Sequence, residues 1–77
     1  MAKPRSSALI IKGVRFDGRP TSIALEQEFW DFLREIATEK RVHIGRLVSA
    51  VNSTKGKGVS LASAIRVFVA QHYRGEP

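Results

Sequence analysis

The sequence contains no cysteine and only two histidines, His43 and His72, among its 77 residues. Because there are no thiols, neither disulfide bonds nor thiolate-bound metals can stabilise the fold, and a cysteine nucleophile is excluded. The two histidines lie on separate predicted elements and do not form a cluster of metal ligands. We therefore expect no metal site, and nothing in the sequence indicates a cofactor.

Long apolar runs are also missing. No run approaches the roughly 20 apolar residues that a membrane-spanning helix needs, and the apolar residues 8–11 are too few for a signal-peptide core of about 7 to 15 residues. The sequence therefore predicts a cytoplasmic protein. A chain of 77 residues forms one domain at most, and so small a domain has a marginal core that oligomerisation would reinforce.

The residue types needed for catalysis are present but do not converge. The acidic residues of the first predicted helix fall mostly on its solvent face, and neither histidine has an acid placed to orient it. Glycine and lysine alternate in residues 55–58, but without the GxxxxGK[ST] spacing of a phosphate loop and without a preceding strand. The chain is therefore predicted not to be an enzyme.

Basic residues are concentrated on both sides of one acidic segment, and the formal net charge is +6. Residues 1–25 carry five Lys and Arg against one Asp, and residues 42–77 carry five against one Glu. Residues 26–41 between them carry three basic residues against five acidic ones. Concentrated positive charge attracts polyanions, nucleic acid first among them, so the charge pattern favours a nucleic-acid partner.

Two strand-like segments flank a turn signal near the N-terminus. Residues 9–16 are apolar and rich in β-branched side chains, and residues 21–25 alternate in polarity. Asp17-Gly18 between them suits a two-residue type I′ turn. The sequence therefore predicts a β-hairpin within residues 9–25.

Pairing outward from this turn sets Phe16 opposite Arg19 and gathers the apolar residues on one side of the hairpin. Lys12 is an exception on that apolar side. Pro20, which lacks an N–H, indicates either a sheet edge or a broken ladder at that point.

Apolar spacing then predicts three amphipathic helices, over residues 26–40, 44–52 and 61–73. The first has acidic residues in its first turn and basic residues at its end, as the helix dipole favours, and Ser60 suits the N-cap of the third. The predicted organisation is a flexible basic arm over residues 1–7, a single domain over residues 8–74 and a tail over residues 75–77.

Residues at two loops suit a phosphate ligand. Gly45 either only weakens the start of the second helix or also lets a phosphate approach the free N–H groups of its first turn. Lys55 and Lys57 in the following loop either contact DNA phosphates or simply keep the loop soluble.

The order strand, helix, helix over residues 19–52 resembles the ribbon-helix-helix superfamily of Arc- and Met-repressor-type DNA-binding proteins. The similarity is strongest to a bacterial subfamily with the pattern RTSIxLExxFWxxLxxIA followed by LxSAIRVFV. Here those stretches read Arg19-Pro20-Thr21-Ser22-Ile23-Ala24-Leu25-Glu26, then Phe29-Trp30, Leu33 and Ile36-Ala37, and LASAIRVFV over residues 61–69. Relative to this pattern, Pro20 is inserted between Arg19 and Thr21.

This resemblance implies an α+β ribbon-helix-helix fold that forms an intertwined homodimer. One strand from each chain would build an antiparallel β-ribbon for the DNA major groove, which admits two strands. The N-terminal hairpin and a C-terminal helix would be additions to that fold. The dimer core would consist of Ile23, Leu25, Phe29, Trp30, Leu33, Ile36, Ile44, Leu47, Val48 and Val51.

The resemblance, together with the basic loop after the second helix, indicates two sets of DNA contacts. The candidates for reading bases are Arg15, Arg19, Thr21, Ser22 and Ala24. The candidates for phosphate contacts are His43, Ile44, Gly45, Lys55 and Lys57. The outward strand positions Pro20 and Ala24 depart from the longer polar side chains usual in the family.

Two functions follow as expectations. The first is a cytoplasmic, nucleoid-associated transcriptional regulator, repressor-like, that binds specific double-stranded DNA. The second is a protein-interaction module, an antitoxin or adaptor that holds a toxin or co-regulator through the third helix. If the protein is a DNA-binding regulator, a hairpin in each subunit would give the dimer a four-stranded sheet. Such a sheet is wider than the major groove, which is roughly 12 Å across. The upstream strand would then either twist away or belong to another surface.

Overall fold

The computed structural model describes residues 8–75, in which a β-hairpin is followed by three helices. The elements are β1 (Leu9–Phe16), β2 (Arg19–Glu26), α1 (Gln27–Lys40), α2 (Ile44–Thr54) and α3 (Leu61–Arg74). This is the predicted α+β architecture with an additional C-terminal helix. The basic arm expected at residues 1–7 and the last two residues of the expected tail lie outside the described residues.

The predicted hairpin is confirmed, with the register expected from the turn. Phe16 lies opposite Arg19, and the antiparallel pairing continues to Leu9 opposite Glu26. Asp17 and Gly18 both have positive φ, 53° and 76°, as a type I′ turn requires. The turn therefore fixes which residues of each strand share a face.

Pro20 lies in β2 without disturbing the pairing with β1. The residues that flank a two-residue turn form a hydrogen-bonded pair, and such pairs alternate with pairs that are not hydrogen-bonded. Pro20 faces Arg15, one position beyond the Phe16 and Arg19 pair, so its missing N–H would point away from β1. Pro20 therefore lies on a free edge of the sheet, and the ladder between β1 and β2 is not broken there.

Lys12, the exception on the apolar side of the hairpin, is explained by Trp30. The indole N–H of Trp30 donates a hydrogen bond of 2.9 Å to the carbonyl oxygen of Ile10, which holds the ring against β1. The Lys12 ammonium lies 5.4 Å from the centre of the Trp30 ring. Lys12 thus borders the core with its charge over an aromatic face.

The hydrophobic core is closed within one chain. The inner face of the hairpin packs on α1 and α2, and Ile65 and Val69 of α3 complete the enclosure. The buried side chains are Val14, Ile23, Leu25, Trp30, Leu33, Ile36, Ala37, Leu47, Val48, Val51, Ile65 and Val69. Of the residues assigned to a dimer core, Phe29 and Ile44 are only partly buried, and the others are buried without a second chain.

The helices end where local signals are present. Arg41 adopts a left-handed conformation after α1, and the backbone N–H of Val42 donates to the carbonyl of Ala37. The Ser60 hydroxyl accepts from the Ser63 N–H at 3.1 Å, as expected of an N-cap. Within residues 8–75, no helix is long and apolar enough to cross a membrane.

Candidate nucleic-acid interface

The outer face of the hairpin is turned away from the core and towards solvent. Strand alternation places Leu9, Ile11, Gly13 and Arg15 on this face from β1, and Pro20, Ser22, Ala24 and Glu26 from β2. Ile11 and Leu9 keep 69% and 52% of their surface exposed. The middle of the face is the small pair Gly13 and Ser22, with Arg15 and Pro20 towards the turn.

The predicted base-reading residues do not all lie on this outer face. Arg15, Ser22 and Ala24 share it, whereas Thr21 lies on the inner face, where it is half-buried. Arg19 also belongs to the inner side, but it is exposed at the turn end of the hairpin. The structure thus brings three of the five candidates together.

Gly45 is the point at which α2 meets β1. A Cβ atom at position 45 would overlap the backbone carbonyl oxygen of Arg15. Sequence reasoning offered a weaker helix or an approaching phosphate as the consequence of this glycine. In the structure, the strand backbone of β1 occupies the space that a side chain at position 45 would need.

Two shallow grooves border this junction and carry most of the cations near the hairpin. One is lined by Arg15, His43, Arg46 and Ser49, among others, and the second by Lys12, Arg15, Trp30 and Arg34. We call Lys12, Arg15 and Arg46 the β1 ledge.

The β1 ledge carries three cations, and the Asp17 carboxylate lines the same groove as Arg15 and Arg46. Asp17 accepts a hydrogen bond of 2.9 Å from the Ser49 hydroxyl, and Asp31 pairs with Arg34 at 3.0 Å. Among residues 8–75, no carboxylate forms an ion pair with Arg15 or Arg46. The side chain of the N-cap residue His43 makes no capping hydrogen bond to the first turn of α2 beside the ledge. The surface is therefore suited to a polyanion.

Arg46 is a member of the ledge that sequence reasoning missed. It lies three residues after His43, and this spacing on a helix was the available signal. Lys55 and Lys57, which were expected to contact phosphates, lie beyond the far end of α2. An 11-residue helix is about 16 Å long, so these lysines are separated from the ledge.

Arg66 in the middle of α3 is paired with a carboxylate at the end of β2. The Arg66 guanidinium donates two hydrogen bonds to the Glu26 carboxylate, at 2.9 and 3.1 Å. A hydrogen bond from its own backbone N–H, and then the Arg66 guanidinium, hold the pKa of Glu26 below its usual range. Glu26 is 40 residues from Arg66 in the sequence, so no spacing rule could have indicated this pair.

The end of α3 is joined to the acidic face of α1. The Tyr73 hydroxyl donates a hydrogen bond of 2.8 Å to Glu35, and His72 contacts Glu39 at 2.9 Å. Partial desolvation of the Tyr73 hydroxyl, although the residue is half exposed, and its hydrogen bond to Glu35 raise the pKa of Tyr73 to about 12. The acidic residues of α1 therefore help to hold the end of α3 in place.

An antiparallel β-ribbon followed by a helix pair, with unpaired cations beside the ribbon, defines a class of small α+β nucleic-acid-binding domains. The family model described as ribbon-helix-helix domain matches residues 9–73, so the chain belongs to the ribbon-helix-helix family. The resemblance seen in the sequence is thereby confirmed. Members of this family are generally DNA-binding regulators, and they typically act as dimers.

A solved structure of an uncharacterized protein from Bordetella pertussis Tohama I is similar to this chain, with a TM-score of 0.74 and 28% sequence identity. The alignment covers 95% of this chain and 62% of that one. The present chain thus spans less than two thirds of the length of that protein. Comparison with curated proteins gave no match.

Proposed function

We propose that the chain binds specific double-stranded DNA and regulates transcription as a repressor-like, nucleoid-associated protein of the cytoplasm. The observation that carries this proposal is the position of the β1 ledge beside the exposed outer face of a two-stranded ribbon. The major groove, about 12 Å wide, admits such a ribbon, and cations beside it would meet the phosphates that border the groove.

The residues of the interface would have different roles. Ser22 and Arg15 on the outer face would hydrogen-bond to base edges, and Ala24 would contact a thymine methyl group. Arg46 and the first turn of α2 would hold phosphates and so set the position of the ribbon on the duplex. In a homodimer, the usual state in the family, the two chains would contact the duplex as a symmetric pair.

The decisive experiment selects bound duplexes from a random DNA pool and then titrates them with protein at two salt concentrations. Affinity should fall steeply with salt because bound cations release counterions from the phosphates. A salt-insensitive interaction, or no enrichment of any duplex, would contradict the proposal.

Replacing Arg15→Ala should weaken binding to the selected duplex roughly 5- to 150-fold, the range that corresponds to about 1–3 kcal/mol for one bidentate base contact. Lys40→Ala removes the same charge from the end of α1, which lines neither groove, and is the matched control. A mobility-shift titration measures both. Equal losses in the two variants would show that net charge alone matters and would remove Arg15 from the site.

An exposed apolar groove between α2 and α3 favours a second candidate function, the protein-interaction module. It is lined by Val51, Val59, Val67 and Phe68, among others, and Val67 keeps 54% of its surface exposed. An antitoxin or adaptor would hold its partner protein there. In that case Val67→Lys would abolish co-purification of a stoichiometric partner, and the wild-type chain would show no salt-sensitive DNA binding.

A further inference from the structure

We propose that the hydrogen bond between Ser49 and Asp17 is a positioning contact for DNA recognition. It holds the turn of the hairpin against α2, so that Arg15 and Arg46 meet one duplex together. The inference rests on the proposed DNA binding and deepens it, because it assigns two residues that act through the arginines rather than on the bases.

The contact joins the tip of the hairpin to the middle of α2. The Ser49 hydroxyl donates to the Asp17 carboxylate at 2.9 Å, and the two residues are 32 positions apart in the sequence. Asp17 has a φ of 53° in the turn, a backbone conformation that aspartate adopts more readily than most residues. The hydrogen bond therefore links two elements that the local sequence does not hold together.

The turn end of the hairpin contacts α2 at two points. The first is Gly45, whose missing side chain leaves room for the Arg15 carbonyl oxygen. The second is Ser49, four residues and about 6 Å further along the helix. One close contact alone leaves the hairpin free to pivot about that point, whereas two contacts about one helical turn apart fix its direction. The hydrogen bond thus completes the junction.

This junction lies between the two arginines of the β1 ledge. Arg15 and Arg46 line one groove together with Asp17 and Ser49, but Arg15 belongs to β1 and Arg46 to α2. Under the proposed function Arg46 holds a phosphate and Arg15 reads a base, so the spacing of the two must match the duplex. A turn fixed on α2 sets this spacing before DNA binds and so avoids the cost of ordering it on binding.

Loss of the contact should therefore reduce selectivity rather than binding in general. Phosphates are the same on every duplex, so Arg46 still holds a scrambled sequence when the hairpin is free to pivot. The base contact of Arg15 must then order the hairpin first, and only the selected sequence offers that contact. The informative quantity is the ratio of the affinities for the selected and the scrambled duplex. A change in the folded fraction alters both affinities equally and leaves this ratio unchanged.

Two substitutions remove the contact from opposite sides. Ser49→Ala removes the donor and places a strong helix former in α2. Asp17→Gly removes the acceptor, and glycine suits the positive φ of the turn. Ser63→Ala makes the same change as Ser49→Ala at an exposed position of α3, outside the groove, and is the matched control.

Fluorescence anisotropy titrations with the labelled duplexes give the ratio for each protein. We expect the ratio to fall roughly two- to fivefold in Ser49→Ala, the lower part of the range for one hydrogen bond, because the contact is exposed to water. Asp17→Gly should lower the ratio by the same factor, although the lost negative charge raises the affinity for both duplexes. The double variant should show no further fall, since both substitutions break one bond. Ser63→Ala should match the wild type.

An unchanged ratio in Ser49→Ala, or falls that add in the double variant, would overturn the positioning role while leaving DNA binding in place. A fall in Ser49→Ala without one in Asp17→Gly would also overturn it, since Ser49 would then contact the bases directly. Absence of binding by the wild-type chain to every selected duplex would instead overturn the proposed function itself. The failure of the inference and that of the proposed function are therefore distinguishable.

Discussion

At the scale of single residues, Gly45 shows how one missing side chain allows two elements to touch. A methyl group at position 45 would overlap the Arg15 carbonyl, and backbone cannot move aside as a flexible side chain can. We expect Gly45→Ala to destabilise the fold by about 1–3 kcal/mol, the usual cost of forced overpacking. Gly13→Ala is the control, since nothing lies within 4 Å of an added Cβ there. Equal urea midpoints for the two variants would contradict the described junction.

Tyr73 is the sole tyrosine, so its ionisation can be followed by ultraviolet absorbance without interference. Because its hydroxyl is partly desolvated and donates to Glu35, its titration midpoint should lie near 12 in the folded chain, against about 10 in urea. Glu35→Gln should move the folded midpoint back towards 10. Since the folded pKa is the higher one, the resulting stabilisation is present below pH 10 and disappears as the pH rises through 12. A folded midpoint of 10 would show that the Tyr73 contact is absent.

Residue types in the sequence indicated which positions have an unusual backbone conformation or lack a side chain for a reason. They did not identify the distant residues that contact those positions. Asp17-Gly18 was sufficient for the turn, because few dipeptides adopt two positive φ values. Gly45 was recognised as unusual, yet its neighbour Arg15 lies 30 residues away, on an element whose packing no local rule describes. Arg66 and Glu26 escaped notice for the same reason.

At the scale of elements, the attachment of α3 to β2 should depend on pH through Glu26. The pKa of Glu26 is lowered in the folded chain, so its contribution to stability is present above the unfolded value of about 4.3 and is lost as the pH falls through the folded value. Glu26→Gln should therefore reduce the change in urea midpoint between neutral and acidic solution. Asp31→Asn, which removes an exposed pair with Arg34, is the control. The same acid dependence in wild type and Glu26→Gln would contradict this linkage.

The strands and helices could be predicted where a regular spacing of apolar residues coincided with a turn or capping residue at its end. The hairpin register followed from the turn and the apolar alternation, and α3 followed from Ser60 and a regular stripe. The end of α2 at Thr54 was less predictable: its last residues are polar, and the hydroxyls of Ser53 and Thr54 hydrogen-bond to the Ala50 carbonyl. Polar side chains that hydrogen-bond to the preceding turn do not add to the helical spacing of apolar residues, so that spacing cannot locate the end of the helix.

At the scale of the whole molecule, an amphipathic stripe shows that a face is buried but not which chain covers it. The apolar stripes of α1 and α2 were compatible with a dimer core, and the structure closes them with Ile65 and Val69 of the same chain. The base-reading set was divided for a related reason. The family resemblance predicted outward-facing residues for one strand only, β2. In the structure, β1 pairs with β2 and adds Arg15 to the same outer face.

Because the sheet and the core are both completed within one chain, the kinetic order of the refolding reaction can be predicted. Chains that must associate before they fold do so at a rate that rises with concentration, whereas sequential local elements collapse in a first-order process. Trp30, buried and the sole tryptophan, reports this step by fluorescence. We expect the refolding rate after dilution from urea to be the same over a roughly hundredfold range of protein concentration. A rate proportional to concentration would mean that the hairpin finds its final partners only in a second molecule.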